Sequence, residues 1–94
     1  MKKITKEKVA SLLAKNAKLV DIRSPVAFRD GTITGAVNMP LKNFLNYLLG
    51  LKPAEKVVIF SDTYNNDDLR SIEAYANQLN KTSNIFVTTY KELQ

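Results

Sequence analysis

The stretch at residues 57–79 constrains the fold most, because three kinds of segment follow one another in it without a break. Residues 57–60 form a β-branched and aromatic run that is typical of a strand buried on both faces. Residues 61–66 are polar and turn-prone, and from Asp67 onward the apolar residues recur at helical spacing. Open α/β proteins commonly bind ligands where a strand end meets a helix N-terminus, so residues 61–66 are the candidate site.

The rest of the chain alternates helix-like and strand-like segments. Thr5 is the predicted N-cap of a first helix, and Ser24 followed by Pro25 begins a second, short one. Leucines and a phenylalanine at i, i+3, i+4 and i+7 predict a third helix at residues 41–49. Further strands are predicted at residues 18–23, 36–39 and 85–87. This alternation predicts one α/β domain over residues 1–94, with a small, mainly parallel sheet flanked by helices on both faces.

Two glycines and a proline are predicted to shape the backbone of the first half. Gly31 follows the second helix, where a left-handed cap conformation is expected. Gly35 is expected to permit a close backbone approach, and Pro40 to end the strand predicted at residues 36–39.

The composition limits the chemistry that the chain can perform. Its 94 residues include no cysteine and no histidine, which removes the sulfur nucleophile, the commonest general base and the commonest metal ligand. The net charge is +5, and many lysines fall in the first eighteen residues. They favour the solvated side of an amphipathic helix over a nucleic-acid surface, which usually interleaves arginines and aromatic residues. No run approaches the ~20 apolar residues of a membrane span, so we expect a cytoplasmic protein without membrane contact.

Residues 19–40 carry motifs that together resemble the rhodanese-like domain family. That family typically shows Asp-x-Arg at a strand end, then Gly-His-Ile, Gly-Ala and Asn-x-Pro, and this chain matches each of them except that Thr32 stands in place of the histidine. The resemblance implies the family's α/β fold. It also implies that the charged pair at the strand end forms a local ion pair or loop hydrogen bonds. The motif residues with this implied fold-supporting role are Asp21, Arg23, Gly31, Gly35, Asn38 and Pro40.

In active members of that family the central strand ends in a nucleophilic cysteine, commonly within Cys-Arg-x-Gly-x-Arg. Backbone N–H groups and the helix dipole there hold an anionic sulfur group. The resemblance places Ser61 at the cysteine, Asp62 at the first arginine and Asn66 near the last. A serine hydroxyl cannot accept a sulfane sulfur. Asp62, Asp67 and Asp68 are expected to cap the helix N–H groups and repel a second anion. The resemblance therefore implies a domain without thiosulfate sulfurtransferase activity, catalytic residues or cofactor.

The loop at the position of the family's active site leaves several functions open. It consists of Ser61, Asp62, Thr63, Tyr64, Asn65 and Asn66. The leading interpretation is a binding or regulatory surface for another protein, with Tyr64 either contacting the partner or folded over the vacant pocket. The alternatives are a sulfurtransferase-related enzyme that uses a partner's thiol, a hydrolytic use of Ser61, and a small-anion sensor. A divalent cation held by the loop oxygens is disfavoured, because their spacing does not match a calcium loop.

Overall fold

The computed structural model describes residues 1–94 and contains a five-stranded, wholly parallel sheet with the order β1-β5-β4-β2-β3. The strands are β1 (Lys2–Lys3), β2 (Lys18–Asp21), β3 (Val37–Asn38), β4 (Val57–Ser61) and β5 (Ile85–Thr89). The helices are α1 (Lys6–Ala14), α2 (Pro25–Asp30), α3 (Leu41–Leu49), α4 (Asp67–Gln78) and α5 (Tyr90–Leu93), with a 3₁₀ turn at Thr82–Asn84. None of these helices has the length and apolar character needed to cross a membrane.

The central strand β4 determines where the candidate site lies. It pairs with β2 on one side and with β5 on the other, and all of its residues are buried. The buried strand predicted at residues 57–60 is therefore confirmed, and it extends by one residue to include Ser61. Because every strand is parallel, the loop that follows Ser61 lies at the C-terminal edge of the sheet, where ligands of such folds usually bind.

Alternate side chains of β4 build a hydrophobic core on each face of the sheet. Val57 and Ile59 pack in one core with residues from α3 and α4. Val58 and Phe60 pack in the other with residues from α1 and α5. The predicted arrangement of helices on both faces is therefore confirmed, and β4 lies between the two cores.

The predicted helix starts are confirmed, whereas the two glycines have the opposite roles to those expected. Thr5 accepts a hydrogen bond from the Lys8 N–H at 3.3 Å, and Ser24 caps α2 in the same way. Gly31 has φ 164°, which is extended, so the predicted left-handed cap is wrong.

Gly31 instead provides the close approach that was predicted at Gly35. A Cβ added to Gly31 would lie 3.1 Å from the Tyr90 hydroxyl, because α5 packs against this turn. Gly35 has φ +89°, and a Cβ added to it would have no atom within 4 Å. Glycine at position 35 is therefore favoured by the backbone conformation, which other residues rarely adopt.

Candidate functional site

The 61–66 loop runs from the end of β4 into the first turn of α4, as predicted. Ser61 lies at its base and is only 3% exposed. The next four residues are exposed, and Asn66 is half-buried where the loop enters the helix. The loop therefore has an anchored base at each end and a solvent-facing tip.

The side-chain amide of Asn66 connects the two ends of the loop. Its Nδ2 donates a hydrogen bond to Ser61 Oγ at 3.0 Å. Its Oδ1 accepts from the N–H groups of Asp68 and Leu69, at 2.8 and 3.2 Å. One amide thus engages the hydroxyl at the position implied for the nucleophile and two of the N–H groups that a helix N-terminus leaves free.

The expectation that carboxylates cap α4 is wrong, because Asn66 is the N-cap. Its backbone is extended, with φ −146° and ψ 130°, and from that position a short side chain reaches the second and third helical N–H groups. Asp67 lies one residue inside the helix and pairs with Arg70 instead. Asn66 could have been identified as the cap from sequence, because asparagine is a preferred N-cap residue and directly precedes the helical pattern.

A buried ion pair lies beside the loop, at the end of β2. Asp21 is fully buried, and its carboxylate accepts hydrogen bonds from the Arg23 backbone N–H at 2.9 Å and from the guanidinium at 2.9 to 3.3 Å. The Thr32 hydroxyl donates to the same carboxylate at 2.8 Å. The local ion pair expected between Asp21 and Arg23 is therefore present, and Thr32 takes part through its hydroxyl.

The Arg23 guanidinium also connects this pair to the candidate loop. Its Nη1 lies 3.5 Å from an oxygen of Asp62, and its Nη2 donates to the Gly31 carbonyl. The guanidinium lies over the Tyr90 ring, 4.1 Å from the centroid. The hydrogen bond to Asp21 raises the pKa of Arg23 above its ordinary value, against the lowering effect of burial. The guanidinium is therefore charged at every physiological pH, and its charge faces two carboxylates.

The remaining motif residues hold the chain around this pair. Asn38 Nδ2 donates to the backbone carbonyls of Asp21 and Arg23, at 2.9 and 3.0 Å. Pro40 precedes α3, and its carbonyl accepts the N–H of Phe44 at 2.9 Å. The structure therefore brings Asp21, Arg23, Gly31 and Asn38 together. Sequence reasoning missed Tyr90, since no local pattern indicates that the C-terminal helix packs on this turn.

Tyr64 projects from the loop toward β1, and its side chain is partly exposed. The Lys3 ammonium lies 4.6 Å from the centroid of its ring. The ring lines a small cavity of about 110 Å³ together with Met1 and Leu69, and Ser61 is not part of that lining. With 37% of its surface exposed, Tyr64 is the only large hydrophobic side chain of the loop that is accessible.

The carboxylates of the loop and of the first turn of α4 form no cluster of metal ligands. No group of three or more acidic side chains in the structure is arranged to hold a metal ion. Asn65 and Asp67 instead both accept hydrogen bonds from Arg70. The backbone N–H groups of residues 62–66 donate to no other backbone group.

The family model described as the rhodanese-like domain matches residues 5–91. The human single-domain sulfurtransferase TSTD1 superposes with a TM-score of 0.71 and 25% identity, over 98% of this chain and 94% of that one. The reduced CoADR-RHD of Bacillus anthracis gives a TM-score of 0.62 at 17% identity, over 98% of this chain and 15% of that one, and so supports the fold alone.

One curated relative is similar to part of the sequence. A tRNA 2-selenouridine synthase of Bdellovibrio bacteriovorus is 42% identical over 43 residues, which are 46% of this chain and 11% of that protein. The match therefore spans only about a tenth of that relative's length.

Proposed function

The chain belongs to the rhodanese-like domain family, and on that premise we propose that it is a member without sulfurtransferase activity that binds a protein partner through the 61–66 loop. The observation that carries this proposal is the hydrogen bonding of Asn66. Its amide engages both Ser61 Oγ and the N-terminal N–H groups of α4, where the active members of the family hold an anionic sulfur group.

The absence of sulfur chemistry is supported by the residues around Ser61. The chain has no cysteine to carry a persulfide and no histidine to act as a base. The Ser61 hydroxyl is buried and already accepts a hydrogen bond from Asn66. Asp62 adds a negative charge beside it, and the guanidinium nearest to Asp62 is already paired with Asp21. A thiosulfate dianion at Ser61 would therefore be repelled by the Asp62 carboxylate, and Arg23 is not free to offset that repulsion.

The binding role is supported by the way the loop is held. Asn66 fixes its base, and Arg70 bonds to Asn65 near its end. The tip presents the partly exposed ring of Tyr64 and the Asp62 carboxylate, which is 69% exposed. A loop that is held at both ends loses less conformational entropy on binding than an unrestrained loop would. The acidic and aromatic character of the tip favours a partner surface that carries basic side chains.

Photo-cross-linking tests this proposal. A photoreactive phenylalanine analogue at Tyr64 is expected to give one discrete adduct in cells of the source organism. The same analogue at Leu49, which is 54% exposed on α3, is the matched control and is expected to give none. Excess unmodified protein should compete the adduct away, whereas the Asp62→Ala, Tyr64→Ala double variant should not. The same adducts from both positions, or equal competition by both proteins, would contradict binding through the loop.

A small-anion sensor is the second candidate, because the N–H groups of residues 62–66 have no backbone acceptor. We expect no saturable shift of these amides in the NMR spectrum when thiosulfate or phosphate is added to millimolar concentration.

The Asn66→Ala variant is expected to lose about 1 kcal/mol of stability as its cap is removed. In this variant, addition of thiosulfate or phosphate should shift the amide signals of Asp68 and Leu69, because their N–H groups are freed. Saturable shifts confined to the loop of the unmodified protein would favour the sensor over the protein-binding module.

A further inference from the structure

A second concave surface lies at the opposite end of the sheet from the 61–66 loop. It is a cavity of about 610 Å³ between the last turn of α1, the start of β2 and Tyr47 of α3. This volume falls within the range of roughly 300–1,000 Å³ that is usual for small-molecule sites. Lys56, which lines the cavity, directly precedes β4, and Ser61 ends that strand. The whole length of β4 therefore separates the two regions.

Positive charge dominates the lining of this cavity. Glu55 is its only acidic residue, and the basic ones are Lys8, Lys15, Lys18 and Lys56. None of these lysines has a carboxylate oxygen within 4.0 Å of its ammonium group. The Glu55 carboxylate accepts a hydrogen bond from the Lys52 backbone N–H at 2.9 Å, so it is engaged within its own turn. Unpaired ammonium groups around a concave surface concentrate positive potential there and attract multivalent anions.

Two aromatic rings complete the cavity and help to position the charges. The Lys18 ammonium lies 5.8 Å from the centroid of Tyr47, and the Lys56 ammonium lies 5.8 Å from that of Phe86. Both rings are only partly buried. Burial, followed by the field of Glu55, raises the pKa of Tyr47, so its hydroxyl remains a neutral hydrogen-bond donor. The cavity therefore offers cations for phosphate oxygens and ring surfaces for a planar group.

We propose that this cavity binds a ligand that carries a chain of phosphates, with nucleoside triphosphates as its chemical class. The phosphates would lie among the ammonium groups of Lys15, Lys18 and Lys56, and the nucleobase would contact the ring of Tyr47 or Phe86. This ligand would give a role to Lys15 and Lys18, which follow α1 and which the sequence pattern alone assigns to the solvated side of a helix. The proposal uses no residue of the 61–66 loop and does not depend on the function proposed for that loop.

An NMR titration identifies both the site and the source of the phosphates. ATP is expected to give saturable amide shifts at residues 15–18 and 56, without shifts at residues 61–66. Inorganic tripolyphosphate is expected to shift the same amides. Tighter binding of ATP than of tripolyphosphate supports a nucleotide as the ligand. Binding of ATP that is no tighter than that of tripolyphosphate assigns the ligand as an inorganic polyphosphate and overturns the nucleotide class. If neither compound gives saturable shifts at these residues at millimolar concentration, the proposal is overturned.

Charge variants test whether the lysines of the cavity are responsible. The Lys15→Gln, Lys18→Gln double variant is expected to weaken ATP binding about fivefold. The Lys15→Glu, Lys18→Glu double variant is expected to weaken it more than about tenfold. The matched control is Lys42→Glu with Lys91→Glu, which changes the net charge equally on exposed residues outside the cavity. It should weaken binding less than about twofold. Equal weakening by the cavity and control variants would overturn the proposal, and thermal unfolding verifies that every variant is folded.

Discussion

Asp21→Ala is expected to lower the free energy of unfolding by about 3–5 kcal/mol, which is the usual effect of removing one partner of a buried ion pair. Asp21 is fully buried, and the Arg23 side chain is only 8% exposed. Without the carboxylate, the guanidinium keeps the Gly31 carbonyl and the more distant Asp62, and the Thr32 hydroxyl loses its acceptor. Because small proteins are stable by only about 5–15 kcal/mol, this loss is a large part of the total. Urea denaturation followed by circular dichroism measures it.

The matched control for this prediction is Asp30→Ala. The Asp30 carboxylate lies 3.6 Å from Arg29, and both side chains are more than half exposed, at 68% and 74%. A loss below about 1 kcal/mol is expected from such a surface pair. Adding Arg23→Met to Asp21→Ala should recover part of the stability, because it removes the uncompensated charge. Equal losses from Asp21→Ala and Asp30→Ala would show that the buried network contributes no more than a surface pair.

Ser61→Cys alone is expected to leave sulfur transfer from thiosulfate to cyanide at the background rate of the unmodified protein. A thiolate at this position would accept a hydrogen bond from Asn66 Nδ2. The N–H groups of Asp68 and Leu69 would remain bonded to Asn66 Oδ1 and would not be free to bind the anion. Asp62 would repel the thiosulfate dianion. A nucleophile without its anion-binding donors and cations is therefore not expected to carry out the family's chemistry.

Grafting the family's whole loop motif onto the same strand end should change this result. The variant Ser61→Cys, Asp62→Arg, Tyr64→Gly, Asn66→Arg is expected to exceed Ser61→Cys by about 10²-fold or more, because its backbone donors and cations can hold the anion. In the reaction the thiolate attacks the sulfane sulfur of thiosulfate and sulfite leaves, so mass spectrometry should detect one added sulfur atom. The same graft with Ser61 retained is the control. If Ser61→Cys alone matches the full graft, the Asn66 bridge and Asp62 do not prevent the chemistry.

The order of strands and helices could be predicted because it is encoded locally. The buried strand β4, the caps at Thr5 and Ser24, and the leucine pattern of α3 are all confirmed at or close to their predicted positions. The position of the 61–66 loop at a strand end and a helix N-terminus follows from the same periodicities. Absence of cysteine, which excludes the family's nucleophile, is likewise a fact of the sequence.

The chemistry around the loop was predicted less well. The cap of α4 was open to prediction, since asparagine is a preferred N-cap residue, whereas the contact at Gly31 depends on a residue that is distant in the chain. Sequence reasoning assigned the capping of α4 to carboxylates, but the backbone conformation of Asn66 puts its amide in that position. It also exchanged the roles of Gly31 and Gly35, because the close contact at Gly31 comes from Tyr90 on the last helix. A short-range pattern cannot indicate contacts of this kind.

Periodicity, capping residues and composition thus specify the class of fold, the location of the candidate loop and the lack of a sulfur nucleophile, since each depends on residues that are close in sequence. The Asn66 bridge depends on the backbone geometry at the start of α4. The contact of Arg23 with Asp62 and Tyr90, and the lysine-lined cavity at the other end of the sheet, exist only when the strands are aligned. Parallel pairing brings together segments that are far apart in the chain, and no local interaction determines which side chains then meet.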